Sequence, residues 1–223
     1  LSRHGTWRRL GKRLPGFVIC FLRSDRCYSM TIHRATSLGH WNYFLALEED
    51  LERLSRYVDL SGNDDAYSIE IARLLLSACA EVDVVLKLLV KKQDATTTAS
   101  TVNAYYPEIS SRHPKFIGFE VQLPRYGIKH QPWIHWAEGT PPGWWSDHNK
   151  VKHHRDRDFQ RATLKNCLNA MGGLFVAALH LYEEEAKTGG NLQMPRLFNV
   201  GDGYVAGASL GRFGNSFVCD LSK

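Results

Sequence analysis

Between Trp144 and Arg155 the chain reads Trp-Trp-Ser-Asp-His-Asn-Lys-Val-Lys-His-His-Arg, with three imidazoles, an amide, two ammonium groups and a guanidinium behind a pair of tryptophans. Histidines titrate near neutrality and can exchange protons at physiological pH. Ammonium and guanidinium groups hold phosphate and neutralise charge that develops in a transition state. If the stretch is helical, Asn149, Lys152 and His153 share a face at i, i+3 and i+4, and His148 lies one turn before Lys152. One side of one helix then presents imidazole, amide and cations together. Such a set can grip a phosphodiester, take the proton of its 2′-hydroxyl and stabilise the oxyanion that forms. Zinc is a weaker reading of His148, His153 and His154. The last two are adjacent and point to different sides of a helix, and no H-E-x-x-H motif or nearby thiolate pair supports them. A Walker loop and a G-x-G-x-x-G turn are missing from the sequence. The expected chemistry needs no metal and no cofactor.

The elements that must position this stretch read as helices. Ser37 can cap a first one, with Trp41, Phe44, Leu45, Leu47, Leu51, Leu54 and Val58 near the helical period and Glu48, Glu49, Asp50, Glu52 and Arg53 on the wetter side. Ser61-Gly62-Asn63-Asp64 ends it. A second helix is predicted from near Asp65 to near Lys92. It is apolar nearly all round, so Ala66–Lys91 should be the most buried helix. Glu81 and Asp83 interrupt it, and a carboxylate on such a helix needs a cation or a shifted pKa. One of the two is expected to face the cations of residues 148–155.

Residues 93–143 are rich in Pro and Gly yet too apolar for a linker. They predict an ordered insertion, with a short helix near 99–106 ending before Pro107 and a strand pair around 117–129. Trp144 and Trp145 follow Pro141-Pro142-Gly143. One of them should staple the helix entry, and the other is open to stacking on a base. Asp158 can cap a third long helix running to Leu181. Gly172-Gly173 within it costs about 1 kcal/mol per glycine relative to Ala, which close approach of another helix would explain. Residues 188–223, rich in Gly, Asn and Ser, are expected to form a loosely held tail with a short hairpin.

The 223 residues suffice for one medium domain with a real core. The net charge of +5 is unevenly spread. Residues 1–29 hold seven cations against Asp25, a net of +6, so the rest of the chain sums to −1. Affinity for an anion must then come from a local patch rather than a global field. Phe17–Leu22 has the outline of a signal peptide, but the apolar core is short and Arg23, Asp25 and Arg26 follow it. Residues 1–29 are therefore expected to be a basic extension, with Met30 the natural start; residues 30–187 are the helical domain and 188–223 the tail. The run is too short to span a membrane. Five cysteines with no close C-x-x-C pair argue against a disulfide framework and for a reducing compartment, the cytoplasm.

Two long helices, an insertion, then Trp-Trp-x-x-x-Asn-x-Val-Lys-His-x-Arg opening the next helix resembles the HEPN superfamily (higher eukaryotes and prokaryotes nucleotide-binding), and its uncharacterised bacterial members in particular. The resemblance covers residues 37–186 by pattern; it is specific at Trp144–Arg155 and, less so, at Ala80–Asp83. It implies an all-α HEPN-like helical bundle with a long, mostly irregular Pro/Gly/aromatic insertion before the motif helix. It also implies a metal-independent endoribonuclease in bacterial defence or toxin–antitoxin biology, working as a homodimer on RNA or a nucleotide, with an antitoxin protein as a further partner. In the family's motif Arg is followed by Asn, and His comes a few residues later. Here Asn149 matches the Asn and His153 the His, while His148 stands at the Arg position and Arg155 could supply the guanidinium. On that basis His153 is the general base, Lys152 and Arg155 stabilise the phosphorane, and Asn149 positions the phosphate. Glu81 or Asp83 orients a cation, and Lys150, His154 and Trp145 contact substrate. The departure at His148 keeps an alternative open, a non-catalytic module binding nucleotide, RNA or protein. Arg125 and His130 also have the R-x(4)-H spacing but lie in the insertion, so their match is read as coincidence.

Overall fold

The computed structural model describes residues 37–188 and 192–201, together with Cys219 and Leu221; the expected basic extension, residues 1–29, lies outside the described residues. The first helix, α1 (Gly39–Leu54), buries Trp41, Phe44, Leu47, Leu51 and Leu54, the stripe that the helical period predicts. Its cap is Leu38 without a side-chain bond, not Ser37. Helix α2 (Ile69–Gln93) starts four residues later than its apolar run suggests. Ser68 caps it, accepting from the Ile71 amide at 3.1 Å. The residues before it pair with the start of a later helix: Leu164 donates to the Ala66 carbonyl at 2.7 Å and Lys165 to the Asp64 carbonyl at 3.0 Å. Backbone groups used in that pairing cannot join a helix.

Helix α3 (Val102–Arg112) is capped by Thr101 and runs through Pro107 rather than stopping before it. Tyr105 and Ile109, both fully buried, anchor it on either side of the proline. The expected strand pair is present as β1 (Val121–Leu123) and β2 (Ile128–His130), antiparallel, with Val121 opposite His130 and Leu123 opposite Ile128. Gly127, at φ +65°, closes the turn in a conformation that glycine adopts without steric cost. A third strand, β3 (Asn199–Val200), pairs with the other edge of β1, giving the order β2-β1-β3.

After the insertion come α4 (Gly143–His153), a single turn α5 (Arg155–Asp158), the long α6 (Leu164–Leu181) and the short α7 (Glu183–Thr188). The cap of α6 is Thr163, whose hydroxyl accepts from the Asn166 amide at 3.2 Å. Asp158, expected in that role, instead holds Arg161 at 2.9 Å. The described residues are thus mostly helical, with one small three-stranded sheet among them. Among the described residues no helix is long and apolar enough to cross a membrane.

Helices α2 and α6 pack along each other at the centre, and α1, α3 and α4 pack around them. The more buried of the two is α6, where every residue from Ala170 to Leu181 is enclosed; α2 leaves Val84 and Leu88 exposed, so the expectation that it would be the most buried helix fails. The insertion is anchored by aromatics. Trp133 lies 4.7 Å from Trp136 and 5.1 Å from Trp144, ring centre to ring centre. The Trp133 indole donates to the Gly173 carbonyl at 3.2 Å and that of Trp144 to the Pro132 carbonyl at 2.8 Å. The described part of residues 188–223 is held, not loose. Leu192, Leu197, Phe198 and Val200 are buried, and the Glu48 carboxylate accepts from the amides of Arg196, Leu197 and Phe198 at 2.7–3.0 Å. Glu48 is therefore a buried clamp and not part of the wet face of α1.

The two mid-helix glycines are occupied from within the chain. A Cβ on Gly172 would lie 2.6 Å from the His130 ring, and one on Gly173 would lie 3.0 Å from Trp144 and 3.3 Å from Trp133. Helix propensity favours Ala over Gly by about 1 kcal/mol. Overpacking of a dense core costs about 1–3 kcal/mol. We therefore expect Gly172→Ala to lower stability by up to about 2 kcal/mol in urea unfolding, the reverse of the gain at an open helix site.

Candidate functional site

Helix α4 presents two faces. Trp144, Trp145, His148 and Val151 are buried, at spacings of one, three and three residues, so they form the stripe turned to α2 and α6. Asn149, Lys150, Lys152 and His153 are exposed. His148 thus stands on the inner face, 5% exposed, with its ring 5.4 Å from that of Trp145. The helix stops at His153. His154, at φ −140°, still donates its amide to the Lys150 carbonyl at 2.7 Å, but the chain then changes direction into α5.

At this inner edge of α4 lies a cleft of about 600 Å³. Trp145, His148, Asn149 and Lys152 come from α4, Leu76, Cys79, Ala80 and Asp83 from α2, and Ser100, Thr101 and Val102 from the start of α3. Burial pushes the His148 imidazole down to about 4, and the nearby charges of Lys152 and His153 add to the effect. It is therefore neutral at pH 7. A backbone hydrogen bond to Trp145 opposes the shift; Nδ1 is enclosed, and the ring borders the cleft. Asn149 and Lys152 make no hydrogen bond or ion pair among the described residues. Asp83 is held by the Tyr105 hydroxyl at 3.5 Å and Lys87 at 3.7 Å. Burial, and then the Asp83 charge, raise the Tyr105 phenol to about 12, so it stays a donor.

The residues singled out by sequence are therefore divided. His148, Asn149, Lys152, Asp83 and Trp145 meet in the cleft; His153, His154 and Arg155 are exposed and outside its lining. Lys150 pairs with Asp147 at 3.4 Å. Glu81 does not face the cations: its carboxylate meets His40 Nδ1 at 2.6 Å. Two residues apart on a helix, Glu81 and Asp83 point roughly 200° apart, so one cleft could not hold both. Trp144 is fixed in the core by its bond to Pro132, the staple role; Trp145 reaches the cleft but is 7% exposed, so it offers no open stacking face. Arg125 pairs with Glu52 at 3.4 Å and His130 packs on Gly172, so that R-x(4)-H match builds no site.

Sequence reasoning missed Ser100, Thr101 and Val102. The signal was there: Thr101 before an apolar run is a helix cap, and placing the helix start at 99 hid it. It also missed Asp147, which joins α4 to the start of α6 through Arg161 and Asn166, each at 3.1 Å. Among the described residues no three His, Cys, Asp or Glu side chains converge as metal ligands. Compared with protein-family models, curated proteins and solved structures, the chain matches none.

Proposed function

We propose that this is a HEPN-like protein acting on RNA, and that its working site is the cleft between α2, α3 and α4. The observation that carries this reading is the buried, neutral His148 beside the unpaired Asn149 and Lys152 at one cleft. A neutral imidazole can accept a proton, an ammonium group counters phosphate charge, and an amide donates to a phosphate oxygen. In this mechanism His148, through Nε2, takes the 2′-hydroxyl proton in place of His153. The 2′-oxygen attacks phosphorus, the bond to the 5′-oxygen breaks, and the leaving oxygen takes a proton from solvent. The products are a 2′,3′-cyclic phosphate and a 5′-hydroxyl end. Lys152 stabilises the phosphorane and Asn149 orients the phosphate.

The setting belongs to the same proposal: a cytoplasmic protein of bacterial defence or toxin–antitoxin biology, with an antitoxin as protein partner. We further propose a homodimer whose second copy seats beside the cleft on α2, where Val84 and Leu88 are exposed. One observation favours the alternative of a non-catalytic binding module. Arg155, the candidate guanidinium, lies past the end of α4 and outside the cleft lining, so among the described residues no guanidinium lines the cleft with His148. Incubating total RNA with the purified protein in excess chelator separates the two. Cleavage with cyclic-phosphate ends is expected; RNA retained uncut by the protein would favour the binding module, and neither cutting nor retention would overturn both.

A further inference from the structure

We propose that the cavity where the end of α3 meets the end of α6 is a second ligand site. It takes a small anion that carries its own hydroxyl group, with the hydroxyl donated to His180 and the negative charge met by Arg112 and Lys115. This site lies at the opposite end of α3 from the cleft proposed for RNA and shares no lining residue with it.

His180 sits on the last turn of α6 and is 3% exposed. Its ring packs against those of Phe116, His113 and Phe119 at 4.9, 5.0 and 5.6 Å between centres. Its Nδ1 is 2.8 Å from the Val176 carbonyl. A carbonyl oxygen only accepts, so Nδ1 carries the proton and Nε2 of the neutral ring is a bare acceptor. Burial pushes this imidazole down to about 4, so the acceptor persists at pH 7. Nε2 has no hydrogen-bond partner among the described residues, and it is not sealed off. The cavity that His180 lines, about 210 Å³, is where a donor can reach it. A polar atom stripped of most of its water without gaining a partner is unfavourable, and a ligand hydroxyl removes that cost.

The neighbours of His180 set the charge of the ligand. Arg112 and Lys115, both exposed, stand at the rim, and Arg112 makes no hydrogen bond or ion pair among the described residues. The charged groups that act on the His113 ring, also in the lining, are Arg112, Lys92 and Lys187 against one carboxylate, Glu183. Glu183 lines the cavity and opposes an anion, but Lys187 holds it at 2.6 Å. The Gln93 amide nitrogen engages Nε2 of His113 at 2.5 Å, which leaves His180 as the acceptor for a ligand. A metal ion is disfavoured by the cations, and His113, His180 and Glu183 do not converge as metal ligands. Pro114 and Leu221 add an apolar wall, so a short organic anion fits as well as an inorganic one. The volume is below that of drug-sized sites and suits an ion of a few heavy atoms.

The test compares anions that differ by a hydroxyl, titrated into the full chain at pH 7 and constant ionic strength. Phosphate carries a hydroxyl at this pH and sulfate does not; lactate carries one and propionate does not. The hydroxylated member is expected to bind about tenfold more tightly, as one hydrogen bond to a charged ligand provides, and to shift the His180 Nε2 resonance. A preference within the first pair alone assigns the site to phosphate, and within the second alone to hydroxycarboxylates. His180→Phe keeps a ring of similar size and should abolish the preference. Arg112→Ala should weaken both members of a pair about tenfold. The inference is overturned if sulfate binds as tightly as phosphate and propionate as tightly as lactate. It is also overturned if no anion moves the Nε2 resonance at millimolar concentration, if Arg112→Ala leaves every affinity unchanged, or if a folded His180→Phe retains the preference. Should His180→Phe not fold, the preference and the Nε2 shift of the parent decide.

Discussion

Lowering the pH from 6.5 to 4 is expected to remove most of the stability of this protein. His148 and His180 are 5% and 3% exposed, and burial is the largest cause that pushes each down to about 4. His130, with its Nε2 enclosed against Gly172, is pushed down to the same value, again mainly by burial. In the unfolded chain these imidazoles take a proton near 6.5, whereas the folded protein resists until about 4. The unfolded state therefore binds more protons across that window. Stability is complete above pH 6.5, falls between 6.5 and 4, and loses nothing further from these groups below 4. A shift of this size on one fully buried imidazole corresponds to about 3 kcal/mol. Two or three of them together approach the roughly 5–15 kcal/mol that holds a domain folded. Glu48 acts in the opposite sense. Burial raises its carboxyl above the usual range, so its contribution is present below 4.5 and declines as the pH rises through its folded value. Urea unfolding at a series of pH values measures the slope, and His180→Phe should flatten it by about a third if the three imidazoles contribute equally. A stability unchanged from pH 6.5 to 4 would contradict this account.

The helices carrying the cleft were legible because burial imposes a period. Trp41, Phe44, Leu47, Leu51 and Leu54 mark α1, and the apolar runs of α2 and α6 follow the same rule. Their ends were less legible, because they depend on partners distant in sequence. The residues just before α2 look helical, but Asp64 and Ala66 are drawn into pairing with Lys165 and Leu164. Glu48 reads as a surface carboxylate until residues 196–198 bring three amides to it. Within the site, helical spacing joined His148, Asn149 and Lys152, which do share a cleft. It could not show which face of α4 would be turned inward, since that is decided by Trp144, Trp145 and Val151 packing on α2 and α6. Nor could it bring the start of α3 to the cleft beside α4, since each is placed there by packing on α2.

His148→Ala is expected to reduce RNA cleavage by about 10²–10⁴, the usual contribution of general acid–base catalysis, while His153→Ala leaves it near the parent rate. The contrast follows from position. Both residues lie on α4, yet His148 in its middle lines the cleft with Asn149 and Lys152, whereas His153 at its end is exposed and outside it. Lys152→Ala removes the cation beside His148 and should slow cleavage by about 10²–10³, as loss of an oxyanion-hole donor does. Arg155→Ala, beyond the end of the helix, should have little effect. Substituting His148 by Ala shortens a side chain that borders the cleft, so the protein should remain folded, which circular dichroism can verify. His148→Arg would bring the stretch closer to the HEPN motif that it resembles, but it would place a permanent charge at a 5% exposed position next to Lys152. We expect it to weaken folding rather than raise activity. The measurement is the rate of appearance of 2′,3′-cyclic phosphate ends, in chelator, for each folded variant. If His153→Ala abolishes cleavage and His148→Ala cuts at the parent rate, this cleft is not where the reaction occurs. The exposed end of α4, completed by a second copy of the chain, would then be the better place to look for it.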